Sequence, residues 1–131
     1  LLDFDGTCVA HEYPFVGEDI GAQQVLHDLV NNGHKLILFT MRSEINYLDD
    51  AVAWFKEQDI PLYGVQSHPE QKSWTASPKA YGELIIDDTM LGAKLVDGRY
   101  LNWQWTAEAL CAQGLITPAQ LAAYDFSLYV F

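Results

Sequence analysis

The sequence predicts an α/β protein with a mainly parallel sheet, and three observations predict it. Apolar runs of strand length occur at residues 35–40 (KLILFT), 60–65 (IPLYGV) and 83–87 (ELIID). Runs without polar alternation suit parallel strands covered on both faces. Between them, apolar residues recur at helical spacing, and strand alternating with helix over residues 1–97 selects a sheet built with right-handed crossovers.

Each element follows from its residues. Residues 1–4 (LLDF) are the first candidate strand. Ala22, Val25, Leu26, Leu29 and Val30 then mark a helix, with Gly33 where a C-terminal cap belongs. The second strand, 35–40, lies between Gly33-His34 and Arg42-Ser43. Leu48, Ala51, Val52 and Phe55 give the next helix, and Asp49 and Asp50 near its start suit the positive end of the helix dipole. Pro61 falls near the start of the third strand, where a missing N–H is tolerated. Residues 83–87 form the fourth strand and 94–96 a weaker fifth.

After Gly98 the pattern changes. Ala107, Leu110 and Cys111 indicate a short helix ending at Gly114, and Thr117-Pro118-Ala119-Gln120 reads as a capping box with proline at the first helical position. Ile116 and Leu121 are placed to form the accompanying hydrophobic staple. Residues 105–126 thus read as a helical hairpin, and the closing YDFSLYVF as an apolar segment docked on the domain or on a second subunit. The expected organisation is one domain, 1–131, with the helical segment 105–131 packed on it.

Composition narrows the function. With 131 residues, half of them hydrophobic, the chain suits a single core. No apolar run reaches the length of a membrane span and no secretory signal opens the chain, so a cytoplasmic protein without a membrane partner is expected. Cys8 and Cys111 are far apart and read as reduced thiols. Eighteen acidic and seven basic residues give a net charge of −11, which repels nucleic-acid backbones. A small phosphorylated ligand is admissible if a metal ion and local cations neutralise it.

The chemistry gathers at the carboxyl ends of the strands, where open α/β sheets bind ligands. The first strand runs into Asp3-Phe4-Asp5-Gly6-Thr7, the second into Thr40-Met41-Arg42, and the fourth into Asp87-Asp88-Thr89. Four carboxylates converging on one spot repel one another unless a cation or raised pKa values compensate. Carboxylate oxygens with water as co-ligand suit Mg2+, which leaves coordination positions open for phosphate.

These residues carry a resemblance. LLDFDGT, LILFT, the region of Lys79 and LIIDD resemble the four motifs of the haloacid dehalogenase superfamily of phosphohydrolases, and span residues 1–88, about two-thirds of the chain. The stretches GAQQVLHDLVNNGHKLILFTMR, DDAVAWFKEQDIPL and PKAYGELIIDD are similar to a small branch of it. The resemblance implies a three-layer Rossmann-like domain. It implies Asp3 as nucleophile and metal ligand, and Asp5 as general acid and base with its backbone carbonyl on the metal. Thr40 and the Met41 N–H would hold the phosphoryl group, and Lys79 would offset charge on both the phosphate and Asp3. Asp87 would bind the metal, and Asp88 would do so directly or through water. Lys72 is the rival to Lys79.

Gly6 would permit the turn after Asp5, with Thr7 fixing it. Arg42 is either a contact to substrate phosphate or a surface ion-pair partner. His11, Glu12 and Tyr13 fall where the superfamily carries its flap, either touching the leaving group or serving as plain loop. Neither interval between motifs has room for a cap domain, so a capless phosphatase acting on a small phosphorylated substrate is expected. A phosphomutase or a non-catalytic metal-binding scaffold is the alternative, and the aromatic tail admits a homo-oligomer.

Overall fold

The apolar runs pair in parallel, with the first of them in the middle. The computed structural model describes residues 1–129 and is a mixed α/β structure. Its elements are α1 (Ala22–Asn31), β1 (Ile37–Leu38), α2 (Ile45–Glu57), β2 (Gly64–Val65), β3 (Leu95–Val96), β4 (Tyr100–Leu101), α3 (Trp103–Ala112) and α4 (Pro118–Ala123). Short 3-10 turns occupy Gln71–Ser73 and Ser127–Tyr129.

β1 lies parallel to β2, with Ile37 opposite Gly64 and Leu38 opposite Val65. Leu2 forms parallel bridges to Leu38 on one side and Ile86 on the other. Backbone bonds fix this register: Leu2 N–H to the Ile37 carbonyl at 2.9 Å, Phe39 N–H to Leu2 at 2.8 Å and Asp3 N–H to Ile86 at 3.0 Å. The spatial order 86, 2, 38, 65 therefore sets Asp3 between the segments carrying Thr40 and Asp87.

The regular ladder is shorter than the apolar runs predict. Residues 35–40 and 60–65 contribute two paired residues each, and 1–4 and 83–87 contribute single bridges. At the carboxyl end of β1 the cause is visible. The Thr40 N–H donates to the side-chain Oε1 of Gln66 (2.9 Å), so a side chain replaces the backbone partner that would extend the ladder.

Residues 94–96 do not join the parallel set. β3 pairs antiparallel with β4 in a separate hairpin, Leu95 opposite Leu101 and Val96 opposite Tyr100. Asp97 (φ 52°) and Gly98 (φ 68°) both take left-handed backbone at its tip. Asp-Gly is a favoured pair for a tight hairpin turn because it tolerates that conformation.

The helices bury the faces their spacing marks. Ala22, Val25, Leu26 and Leu29 of α1 are buried, as are Ala51, Trp54 and Phe55 of α2. The Phe4 ring meets Trp54 at 5.7 Å and Phe55 at 5.8 Å, so α2 packs directly behind the segment that delivers Asp3 and Asp5. Asp19 caps α1, its Oδ1 accepting from the N–H groups of Ala22 (3.0 Å) and Gln23 (3.2 Å).

α3 starts at Trp103 rather than 105, because Asn102 caps it by accepting from the Trp105 N–H at 3.0 Å. Thr117 and Gln120 form the reciprocal capping box of α4. The tail docks on α1 of its own chain: the Tyr124 hydroxyl donates to Asp28 (2.8 Å) and the Tyr129 hydroxyl to Asp19 (3.1 Å). The last two residues of YDFSLYVF lie outside the described part. Among the described residues, no helix is long and apolar enough to cross a membrane.

Candidate active site

Asp3, Asp87 and Asp88 meet where the first and fourth segments end side by side. One carboxylate oxygen from each lies within 4.8 Å of the others. The Thr7 hydroxyl is their hub. It lies 2.7 Å from Asp3 Oδ2 and 3.3 Å from Asp88 Oδ1 as donor, and accepts from the Asp88 N–H at 2.9 Å. Thr7 is fully buried and committed to these partners. Asp87 is oriented from outside the group, with Oδ1 accepting both the N–H and the hydroxyl of Thr89 at 2.8 Å.

The electrostatics are those of crowded carboxylates. Burial raises the Asp3 carboxyl to about 7; the Thr7 hydrogen bond opposes the rise and the Asp87 charge adds to it. Asp88 is raised as well, first by burial and then by its contact with Asp87. An all-oxygen donor set of this charge fits a hard divalent cation and disfavours soft metals. The residues present therefore fit a Mg2+-type ion.

Gly6 makes the close approach possible. Its φ is +79°, and a Cβ there would lie 2.5 Å from Asp88 Oδ2 and 3.6 Å from His11 Cδ2. His11 thus stands beside the loop on its solvent side. Gly6→Ala is expected to destabilise the fold by about 1–2 kcal/mol through the left-handed backbone alone. By displacing Asp88 it should also weaken divalent-ion binding, readable by calorimetric titration; unchanged affinity would show that Asp88 does not ligate.

Asp5 stands apart from the acidic group. Both its oxygens face Arg42, with Nε to Oδ2 at 2.7 Å and Nη2 to Oδ1 at 2.8 Å. A contribution of Asp5 to a metal would thus come from its backbone carbonyl. Arg42 is only 1% exposed, and its other N–H groups donate to the carbonyls of Pro14 (3.2 Å), Tyr47 (3.0 Å) and Phe15 (2.9 Å). All five donors of the guanidinium are used. Arg42 is thus the ion-pair partner the sequence allows, but buried rather than on the surface, and it has no donor left for phosphate.

Thr40 is half-buried and Met41 is 95% exposed. The Thr40 hydroxyl accepts from the Arg42 N–H at 3.1 Å. Lys79 and Lys72 are exposed, and neither forms an ion pair among the described residues. The expected pairing of Lys79 with Asp3 is absent from this arrangement; both lysines lie on the polar 66–81 loop rather than on the strand ends that fix the carboxylates. Glu12 and Tyr13 are exposed, and the Tyr13 ring lies 5.2 Å from the Arg42 guanidinium carbon.

Two supporting residues escape the sequence reading. The Gln66 side chain, besides accepting from Thr40 N–H, donates to the carbonyls of Thr40 (2.7 Å) and Arg42 (3.2 Å). It does so from left-handed backbone, φ 66°, which is uncommon for a residue with a β-carbon. Trp103, buried, donates its indole N–H to the Thr7 carbonyl at 2.6 Å. Trp103→Phe removes the indole N–H and part of the buried ring, so a loss of about 1–3 kcal/mol from the stranded carbonyl, with a cavity term added to it, is expected in denaturant unfolding. Buried Cys8 packs beneath the loop, its thiol donating to the Asp3 carbonyl at 3.3 Å, and burial holds that thiol well above its ordinary pKa.

A cavity of about 330 Å³ opens at the other end of the same segments, lined by Leu1, Leu36, Tyr63 and Leu84 among others, and does not include the acidic group. No family model and no curated protein matches the chain. A solved structure does: a conserved protein of Bacteroides thetaiotaomicron, 28% identical, superposes with a TM-score of 0.70 over 93% of this chain and 94% of that one.

Proposed function

We propose that the chain is a phosphomonoester hydrolase of the haloacid dehalogenase type, with a three-layer Rossmann-like fold, acting on a small phosphorylated substrate through an aspartyl-phosphate. The observation that carries this reading is the meeting of Asp3 with Asp87 and Asp88 around the Thr7 hydroxyl, from residues more than eighty positions apart. A carboxylate held in a carboxylate cluster that invites a hard cation is what in-line attack on phosphorus requires.

Asp3 forms the new bond to phosphorus with the oxygen that Thr7 does not hold, while the bond from phosphorus to the leaving oxygen breaks. Asp5 gives that oxygen its proton, then takes one from the water that cleaves the aspartyl-phosphate, which releases phosphate and restores Asp3. Thr40 and the Met41 N–H would steady the phosphoryl oxygens. A Mg2+ ion held by Asp3, Asp87 and Asp88, with the Asp5 carbonyl, would supply positive charge against the phosphate. Lys79, or its rival Lys72, would add positive charge against the phosphate.

One observation favours a second reading, a metal-binding scaffold: Asp5 is turned to Arg42, and among the described residues no lysine is ion-paired with the acidic group. Phosphate release from sugar phosphates, nucleotides, phosphoamino acids and an aryl phosphate, with and without Mg2+, separates the two. Metal-dependent release is the expected result. Silence across the panel with Mg2+ still bound would leave the scaffold.

A further inference from the structure

Arg42 joins parts of the molecule that the sequence keeps separate. Its guanidinium holds both oxygens of Asp5, two carbonyls of the 11–16 segment (Pro14 and Phe15) and the Tyr47 carbonyl in the first turn of α2. Rings lie on it as well, Phe4 and Tyr13 each at 5.2 Å. A planar fork with every donor occupied has one orientation, unlike a lysine ammonium on a flexible stem. An Asp5 oxygen that turns toward a leaving group must give up a bond to Arg42. The ease of that turn is set by how Arg42 is held, and the flap segment does much of the holding.

We propose that Arg42 is a positioning residue that couples the 11–16 flap to Asp5, so that flap position and presentation of Asp5 to the leaving oxygen change together. The inference rests on the phosphatase reading for the role of Asp5 but not for the link itself. Nothing in it requires Arg42 to touch substrate. In the first step its effect is on protonation of the leaving group, so release should slow for alkyl phosphates, whose alkoxide leaves poorly, and little for an aryl phosphate such as p-nitrophenyl phosphate; hydrolysis of the aspartyl-phosphate, where Asp5 takes the proton of water, should slow alike for both.

The test uses the whole chain with Arg42→Lys, which keeps the charge and loses the fork, and Arg42→Gln. In Arg42→Lys, the single-turnover rate of leaving-group release should fall on the order of a hundredfold for an alkyl phosphate and change little for the aryl phosphate. In the double variant with Asp5→Asn, the loss should be no greater than for Asp5→Asn alone, since residues acting as a unit are non-additive. Equal losses of that single-turnover rate on both esters, or additive losses in the double variant, would overturn the proposal and leave Arg42 a structural ion pair.

Hydrogen exchange tests the link without any turnover. The Phe15 amide, which donates to the Glu12 carbonyl at 2.9 Å, should exchange roughly tenfold faster in Arg42→Lys, with α1 unchanged. Unchanged exchange at Phe15 overturns the inference whatever the activity. A parent that hydrolyses neither ester overturns the phosphatase reading instead. If Arg42→Gln does not fold, Arg42→Lys alone decides.

Discussion

Asp3→Asn is expected to remove phosphate release, by on the order of 10⁴-fold or more, without unfolding the protein. The amide has the shape of the carboxylate, and its oxygen can still accept from the Thr7 hydroxyl that lies 2.7 Å from Asp3. What it cannot do is attack phosphorus, so the loss should appear in kcat and persist at saturating Mg2+. The same change relieves the burial of a charge beside Asp87 and Asp88, so the metal-free variant should melt no lower than the parent at neutral pH. Phosphate release and thermal melting of the two proteins decide the matter together. A variant as active as the parent would sink the nucleophile assignment, and a loss accompanied by unfolding would show that Asp3 is needed for structure.

How much of this was legible depends on how local each signal is. Asp3, Asp87 and Asp88 announce themselves because each ends an apolar run, and runs that pair in parallel bring their ends together. The helices were legible for a similar reason, since spacing within one segment fixes the buried face. The cap by Asp19 and the Asp97-Gly98 turn were local signals too, present in the sequence but weaker than the apolar runs around them. Arg42 was not legible. A residue just past a strand can face solvent or core, and its partners Asp5, Pro14 and Phe15 come from another part of the chain. Gln66 and Trp103 are hidden in the same way, because their bonds to Thr40 and Thr7 span 26 and 96 positions. A polar residue in a loop and a tryptophan at a helix start carry no mark of such a task.

These hidden contacts share one purpose. Trp103 holds the backbone at Thr7, Gln66 holds the backbone from Thr40 to Arg42, and Arg42 holds Asp5. Each supplies a hydrogen-bond partner to a loop that has left the ladder, where backbone groups would otherwise be unpaired. The acidic group is therefore carried on loops but braced from the α3 start, from the end of β2 and from the buried guanidinium. That bracing holds one oxygen from each of the three carboxyl groups within 4.8 Å of the others.

The repulsion has a measurable consequence in the pH dependence of stability. Asp3 titrates at about 7 in the folded protein against 3.8 for an unperturbed aspartate, with burial as the main cause. Between those values the folded chain holds a proton that the unfolded chain has released, so stability falls as pH rises from about 4 through about 7 and levels off above. A carboxyl carried that far corresponds to at most about 4 kcal/mol, and Asp88, shifted in the same direction, adds to the slope. A divalent ion binds the ionised carboxylates, so the gain in Tm on adding Mg2+ should be small near pH 5 and grow toward pH 8. Melting curves from pH 5 to 8, in chelator and in excess Mg2+, measure both slopes, and Asp3→Asn isolates the contribution of this group from the general self-repulsion of an acidic chain. A parent whose metal-free Tm rises over that range, or whose gain from Mg2+ does not depend on pH, would mean that Asp3 is already ionised without a cation. Only a Tm that Mg2+ raises at no pH in the range would remove the acidic group's claim as the metal centre.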